Sequence, residues 1–177
     1  GYTSDVADGI RWAAGGSVAG VPNNPTPARV INLSLGGWGS CSTAERSAID
    51  YAVGQGALVV VAAGNEEDWA ENYSPANCPN VIVVAATNRD GKKSWYSNYG
   101  EIVTVAAPGG DDEVDSEILS TLNDGLYTPG DPTYGSYQGT SMATPHVAGV
   151  LSLLLSVAPE LELAEVLALL DTTSQPF

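Results

Sequence analysis

The chain is 177 residues long and carries 21 acidic side chains against 6 basic ones, a formal charge of −15. That sign opposes unassisted binding to nucleic acid or to an anionic membrane, since both are polyanions. With 44% hydrophobic and 15% charged residues, the composition argues for a folded globule rather than an acidic disordered tail. A chain of this length buries roughly 70% of its unfolded surface, so one sizeable core is expected rather than two domains.

In chain order, the first predicted element is a helix over Ser4–Ala14, with Val6, Ile10, Ala13 and Ala14 at helical spacing and Gly15-Gly16 as its stop. A Pro/Asn-rich loop, Val21 to Pro27, holds no regular element. Val30 to Leu35 reads as a strand ending at Gly36-Gly37. A helix follows over Ser42–Gln55, where Ser42 and Glu45 have the spacing of a capping box. Ala57–Ala63 and Val81–Ala86 are continuous β-branched runs, as strands buried on both faces of a parallel sheet require. Val103–Ala107 is a fourth such run. Ser141–Val157 reads as a long, nearly all-apolar helix, and Leu161–Leu170 as another after Pro159. This alternation predicts an α/β fold: a parallel sheet with helices on both faces. The longest apolar stretch, Val147 to Ala158, is about a dozen residues, short of the roughly 20 that a helical membrane span needs.

Two features allow more than one reading. Between Asp111 and Asp131 stand Asp111, Asp112, Glu113, Asp115, Glu117, Asp124 and Asp131, with no basic residue. A solvated acidic surface is the expectation; clustered carboxylates also suit calcium, although the spacing is not that of an EF-hand loop. Cys41 and Cys78 lack CxxC or Cys/His spacing, which argues against intracellular metal or redox chemistry.

The chemistry is concentrated in Gly139-Thr140-Ser141-Met142-Ala143-Thr144-Pro145-His146-Val147-Ala148-Gly149. A small-residue turn places Ser141 at the start of a helix, beside free backbone N–H groups and the positive end of the helix dipole. That setting suits an oxygen nucleophile and the oxyanion it generates; taken alone, it is equally an ordinary serine cap. The stretch resembles the nucleophile motif of the subtilisin-like serine proteases, the subtilases. Other segments follow in the family's order: Val30 to Gly37 (VINLSLGG) resembles its substrate-binding strand, and Val59 to Asn65 (VVVAAGN) the strand and turn with its oxyanion asparagine. Asn72-Tyr73-Ser74-Pro75-Ala76, Ser97-Asn98-Tyr99-Gly100 and Ala107-Pro108-Gly109 are similar to the proteinase K branch. The likeness covers residues 30 to 157, and the first helix also fits.

The resemblance implies roles. Ser141 is the expected nucleophile, with the Asn65 amide and the Ser141 N–H as oxyanion hole. Ser34, Leu35 and Gly36 would pair with an extended substrate as an added strand. Ala62, Ala63 and Gly64 would form the other wall of a slot for a large hydrophobic or aromatic residue before the cleaved bond. The branch is exported, so a secreted protein with a Cys41–Cys78 disulfide is expected. No cofactor is expected; calcium stays open, although Thr104 occupies the position where proteinase K-like relatives carry a calcium-binding aspartate.

The departures matter as much. Subtilases run Asp, His, Ser along the chain, yet nothing upstream of Val30 is a histidine. The one histidine, His146, is five residues after Ser141; on one helix it points about 140° away and about 7.5 Å along the axis, so it is expected to be structural and buried rather than a base. The whole of 1–177 therefore reads as the nucleophile and oxyanion-hole part of a subtilase catalytic domain, without the strands, Asp and His that precede it and ending at Gln175-Pro176-Phe177 before the family's last segment. A fragment, one half paired with a separate N-terminal chain, and a truncated gene product remain open. So do a Ser-dependent esterase and a non-catalytic peptide-binding module. The Val30–Leu35 edge, left uncovered, is expected to seek such a partner chain or a homodimer.

Overall fold

The computed structural model describes residues 2–114 and 117–175; Asp115 of the acidic stretch and the terminal Pro176-Phe177 lie outside it. Among the described residues, four α-helices, α1 (Thr3–Ala13), α2 (Thr43–Gly54), α3 (Thr140–Val157) and α4 (Leu163–Thr173), accompany three sheets. The main sheet holds β1 (Val30–Leu33), β3 (Leu58–Ala62), β5 (Ile82–Thr87) and β6 (Val105–Pro108), in that spatial order and parallel throughout. Between them, β2 (Gly37–Trp38) pairs antiparallel with β4 (Tyr73–Ser74), with Gly37 opposite Ser74 and Trp38 opposite Tyr73. Two strands absent from the sequence reading, β7 (Ile118–Asn123) and β8 (Pro132–Tyr137), form an antiparallel hairpin.

The parallel sheet is covered on both faces, as its β-branched runs demand. Val59, Val61 and Ala63 pack with Ile10, Ile49 and Ala52 beneath α1 and α2. Leu58, Val60, Ile82 and Val84 pack on the other face with Ala143, Val147, Leu151 and Leu155 of α3 and Val166 of α4. α2 begins with the expected box: Ser42 Oγ accepts from the Glu45 N–H (3.2 Å) and Glu45 Oε2 from the Ser42 N–H (2.9 Å). Cys41 and Cys78 are bonded to each other, joining the approach to α2 to the loop before β5. By the chain-entropy model a closed loop of 37 positions is worth about 3–4 kcal/mol.

The differences from expectation have local causes. β1 stops at Leu33, and the carbonyl of the next residue, Ser34, accepts from the Ser141 hydroxyl instead of joining the ladder. α4 starts later, at Leu163, where Glu165 Oε2 accepts from the Glu162 N–H (3.0 Å). Among the described residues, α3 is long and apolar enough, by length and composition alone, to cross a membrane. The apolar run from Val147 had been too short for that; the helix begins at Thr140, and here it lies across all four strands of the main sheet. His146 is exposed, which corrects the expectation of a buried histidine. An all-apolar pattern does not tell a helix's inner side from its outer one, and Val150, Leu153 and Val157 are exposed too.

Candidate active site

Three chain segments meet at the N-terminus of α3. Gly139, the residue before the helix, has φ 147°, a conformation that favours glycine. Its N–H donates to the Gly109 carbonyl (2.9 Å), beyond the end of β6. The Tyr96 hydroxyl lies 3.0 and 2.8 Å from the carbonyls of Gly109 and Gly110, and burial pushes its pKa up. Thr140 is fully buried and spends its N–H and its hydroxyl on the loop after β3. Its N–H (2.8 Å) and its hydroxyl (2.9 Å) both donate to Asn65 Oδ1, and its Oγ1 accepts from the Gly64 N–H (3.3 Å).

Ser141 follows. Its hydroxyl donates to the Ser34 carbonyl (3.4 Å), and the Ser34 hydroxyl donates back to the Ser141 carbonyl (2.8 Å). No hydrogen bond from a carboxylate or imidazole reaches Ser141 Oγ among the described residues; His146 instead places Nδ1 2.8 Å from the Met142 carbonyl on its own helix. The Ser141 N–H has no acceptor within the described chain, as expected in the first turn of a helix. Asn65 Oδ1 is consumed by Thr140, whereas Asn65 Nδ2 makes no hydrogen bond among the described residues. The site thus holds a serine hydroxyl with two unspent N–H donors from Asn65 and Ser141 nearby.

Beside them lies a cleft of about 160 Å³. Leu35, Gly36 and Gly37 form one wall, and Ala62, Gly64 and Asn65 another; Thr140 and Ser141 close the reactive end. Glu66 and Tyr73 also line it, and neither was expected from the sequence. Ala63 is not part of the cleft: it is fully buried on the opposite face of the sheet, where alternation along β3 sends it. Ser34 does not line the cleft; its hydroxyl and carbonyl bond to Ser141. Glu66 puts an acidic side chain on this lining. Burial, then the charges of Glu66 and Asp68, raise the pKa of the Tyr73 hydroxyl, which donates to Asp68 Oδ2 (3.3 Å). The Asp68 carboxyl is held below its ordinary value by the Trp69 N–H first and the Asn72 amide next. Across the Leu35–Gly37 ridge a second cleft of about 400 Å³ is lined by Val6, Trp38, Glu45 and Pro75 among others.

The residues do not fit calcium at Thr104. Its hydroxyl accepts from the Val83 N–H (3.1 Å) and supplies no carboxylate. Among the described residues no group of three or more His, Cys, Asp or Glu side chains could hold a metal.

A model of the subtilase family matches residues 1–176. The extracellular protease of Xanthomonas campestris pv. campestris is 57% identical over 159 residues, covering 90% of this chain and 26% of that protein. The extracellular basic protease of Dichelobacter nodosus is 48% identical, covering 89% and 25% respectively. A solved structure of proteases from Pseudoalteromonas arctica PAMC 21717 superposes with a TM-score of 0.95 at 49% identity, over 100% of this chain and 53% of that one. The chain therefore spans about a quarter of these curated relatives and about half of the solved one. With the serine, the asparagine loop and the cleft assembled on a parallel sheet in this order, the chain belongs to the subtilase family.

Proposed function

We propose that residues 1–177 are the nucleophile and oxyanion-hole part of a secreted serine endopeptidase, completed by an N-terminal segment that brings the catalytic Asp and His. The observation that carries this reading is Ser141 at a helix start beside two unspent donors, Asn65 Nδ2 and its own N–H. Ser141 Oγ attacks the scissile carbonyl, and the two donors receive the charge that develops on its oxygen. The substrate lies extended along Leu35 and Gly36, adding a strand. A large hydrophobic or aromatic residue before the cleaved bond fills the slot between Leu35, Ala62 and Gly64. Glu66, on the same lining, repels an acidic residue there. The extracellular names of the two curated relatives support secretion, and the disulfide agrees with it.

By itself the chain is a poor amidase. An amide needs a proton taken from the serine and later given to the leaving nitrogen, and His146 is turned to its own helix. Esters expel a better leaving group, so slow, Ser141-dependent ester hydrolysis is the residual activity. The test compares a chromogenic ester with a matched anilide, using wild type, Ser141→Ala and Asn65→Ala. Ester turnover lost in Ser141→Ala, with little anilide turnover, supports the reading; robust anilide cleavage by the chain alone refutes the need for a partner. The second reading, a peptide-binding module, rests on the open edge of β1, which ends the sheet order next to Leu35 and Gly36. Peptide binding without turnover of either substrate favours it.

A further inference from the structure

The loop that carries Asn65 is fastened from a segment far away in sequence. Asn98, between β5 and β6, is 0% exposed. A fully buried amide has two donors and two acceptor positions to satisfy, and every side-chain bond of Asn98 goes to the 63–68 loop. Its Nδ2 donates to the Ala63 carbonyl (3.0 Å) and to Glu66 Oε2 (3.1 Å). Its Oδ1 accepts from the N–H groups of Glu66 (2.9 Å) and Asp68 (3.1 Å). Its backbone N–H donates to the Gly64 carbonyl (3.0 Å). Glu66 Oε2, so held, accepts in turn from the backbone N–H of Asn65 (2.8 Å). Gly64 has φ 108°, and a Cβ there would collide with the Asn98 amide, so this close approach requires the glycine.

Asn98 has a firm base of its own. Neighbouring Ser97 accepts from the Ala86 N–H of β5 (2.9 Å) and donates to the Asn98 carbonyl (3.0 Å). Asn65 is therefore gripped from two sides. Thr140 takes its Oδ1, and Asn98, through Glu66, takes its backbone N–H; the Nδ2 is left unspent among the described residues.

We propose that Asn98 is a positioning residue for the oxyanion donor: it sets the 63–68 loop, and through Glu66 the Asn65 backbone, so that Asn65 Nδ2 meets the charge developing at Ser141. This rests on the reading of Asn65 and Ser141 given above and deepens it. Asn98 touches no substrate; it acts through the geometry of another residue.

The experiment uses the full chain with the chromogenic ester and places Asn98→Ala and Asn98→Asp in both the wild-type and the Asn65→Ala backgrounds. Asn98→Asp keeps the acceptor for Glu66 and Asp68 but loses the donations to Ala63 and Glu66, so it serves where the alanine variant folds poorly. In the wild-type background kcat should fall about 10- to 100-fold with KM within two-fold, below the ceiling set by deleting an oxyanion donor, about 10²- to 10³-fold. In the Asn65→Ala background the same changes should have no further effect, because effects carried by a shared partner do not add. An equal fractional loss in both backgrounds, or a rise in KM with kcat kept, overturns the proposal. The side-chain amide resonances of Asn65 give a readout that needs no turnover. They should shift and exchange faster in both Asn98 variants, while the methyl resonances of Val59 and Val61 stay in place; an unmoved Asn65 amide overturns the proposal. A wild-type chain without ester turnover counts against the enzyme reading and leaves the amide resonances to decide the role of Asn98.

Discussion

The parallel sheet with its site loops and the β7–β8 hairpin hold themselves together in different ways. In the sheet, five consecutive residues of β3 are buried, and α3 crosses all four strands. The loops at the strand ends are tied by side chains distant in sequence: Thr140 to Asn65, Asn98 to the 63–68 loop, and Cys41 to Cys78. The hairpin relies on itself. Its strands are mostly exposed, and its loop is closed from within by Asn123, whose Nδ2 donates to the Gly130 carbonyl (2.8 Å) and whose Oδ1 accepts from the N–H groups of Gly125 (3.0 Å) and Gly130 (2.7 Å). At the tip, Leu126 and Tyr127 are 90% and 99% exposed. Regions wired by long-range contacts unfold with the whole molecule, whereas a self-closed hairpin opens by itself.

The sharpest separation is expected from the disulfide. Replacing Cys41 and Cys78 by serine should cost about 3–4 kcal/mol of global stability, read by urea unfolding, and leave the amide exchange of the hairpin unchanged. Next, Leu151→Ala, at a fully buried position on α3, should cost about 2–5 kcal/mol. Leu119→Ala, on an exposed part of β7, should stay within about 0.5 kcal/mol. Equal losses at the two leucines would erase the contrast. A smaller effect belongs to Ser42→Ala, which removes half of a capping box and should cost about 1 kcal/mol by the same urea assay.

Two predictions refine the boundary. Asn123→Ala should speed nicking within residues 124–131 by an added protease, read by mass spectrometry, while the urea midpoint barely moves. Acidification should act on both regions. Asp68, beside the site, and Asp112, which receives the Trp95 indole N–H (3.0 Å) near the hairpin, are both held below the ordinary carboxyl value of 3.8, Asp112 chiefly by that indole and then by Gln138. A lowered folded pKa means that the unfolded chain binds more protons, so this stabilisation is complete above the unfolded value and fades as pH falls through the folded ones. Asp112→Asn should flatten the acid limb of the stability curve below about pH 4, checked by Trp fluorescence.

The same contrast separates what the sequence made legible from what it concealed. The runs at Ala57–Ala63 and Val81–Ala86 announce buried strands, because few sequences place so many β-branched residues together without two covered faces. Ser141 and Asn65 were legible through ordered motifs, and Ser42 through its partner three residues on. β7 and β8 escaped notice because they have no continuous apolar face: Ser120, Thr121, Gly135 and Ser136 give the alternation nothing to bury. Ala63 was misplaced in the cleft because membership of a motif does not say which way a strand turns each side chain. The hold of Thr140 and Asn98 on the Asn65 loop spans 75 and about 30 positions, beyond any local pattern, although both residues stood inside motifs already singled out.

α3 has one more consequence. It carries Ser141 near its tip and is bedded across the full width of the main sheet. Ser141 is therefore located by an average over four strands rather than by any one of them, much as a beam on several supports is little tilted when one settles. Damage to a single support, as in Val60→Ala on β3, should lower the melting temperature well before it misplaces the hydroxyl. Stability and placement are separable quantities in this molecule, and the helix is what separates them.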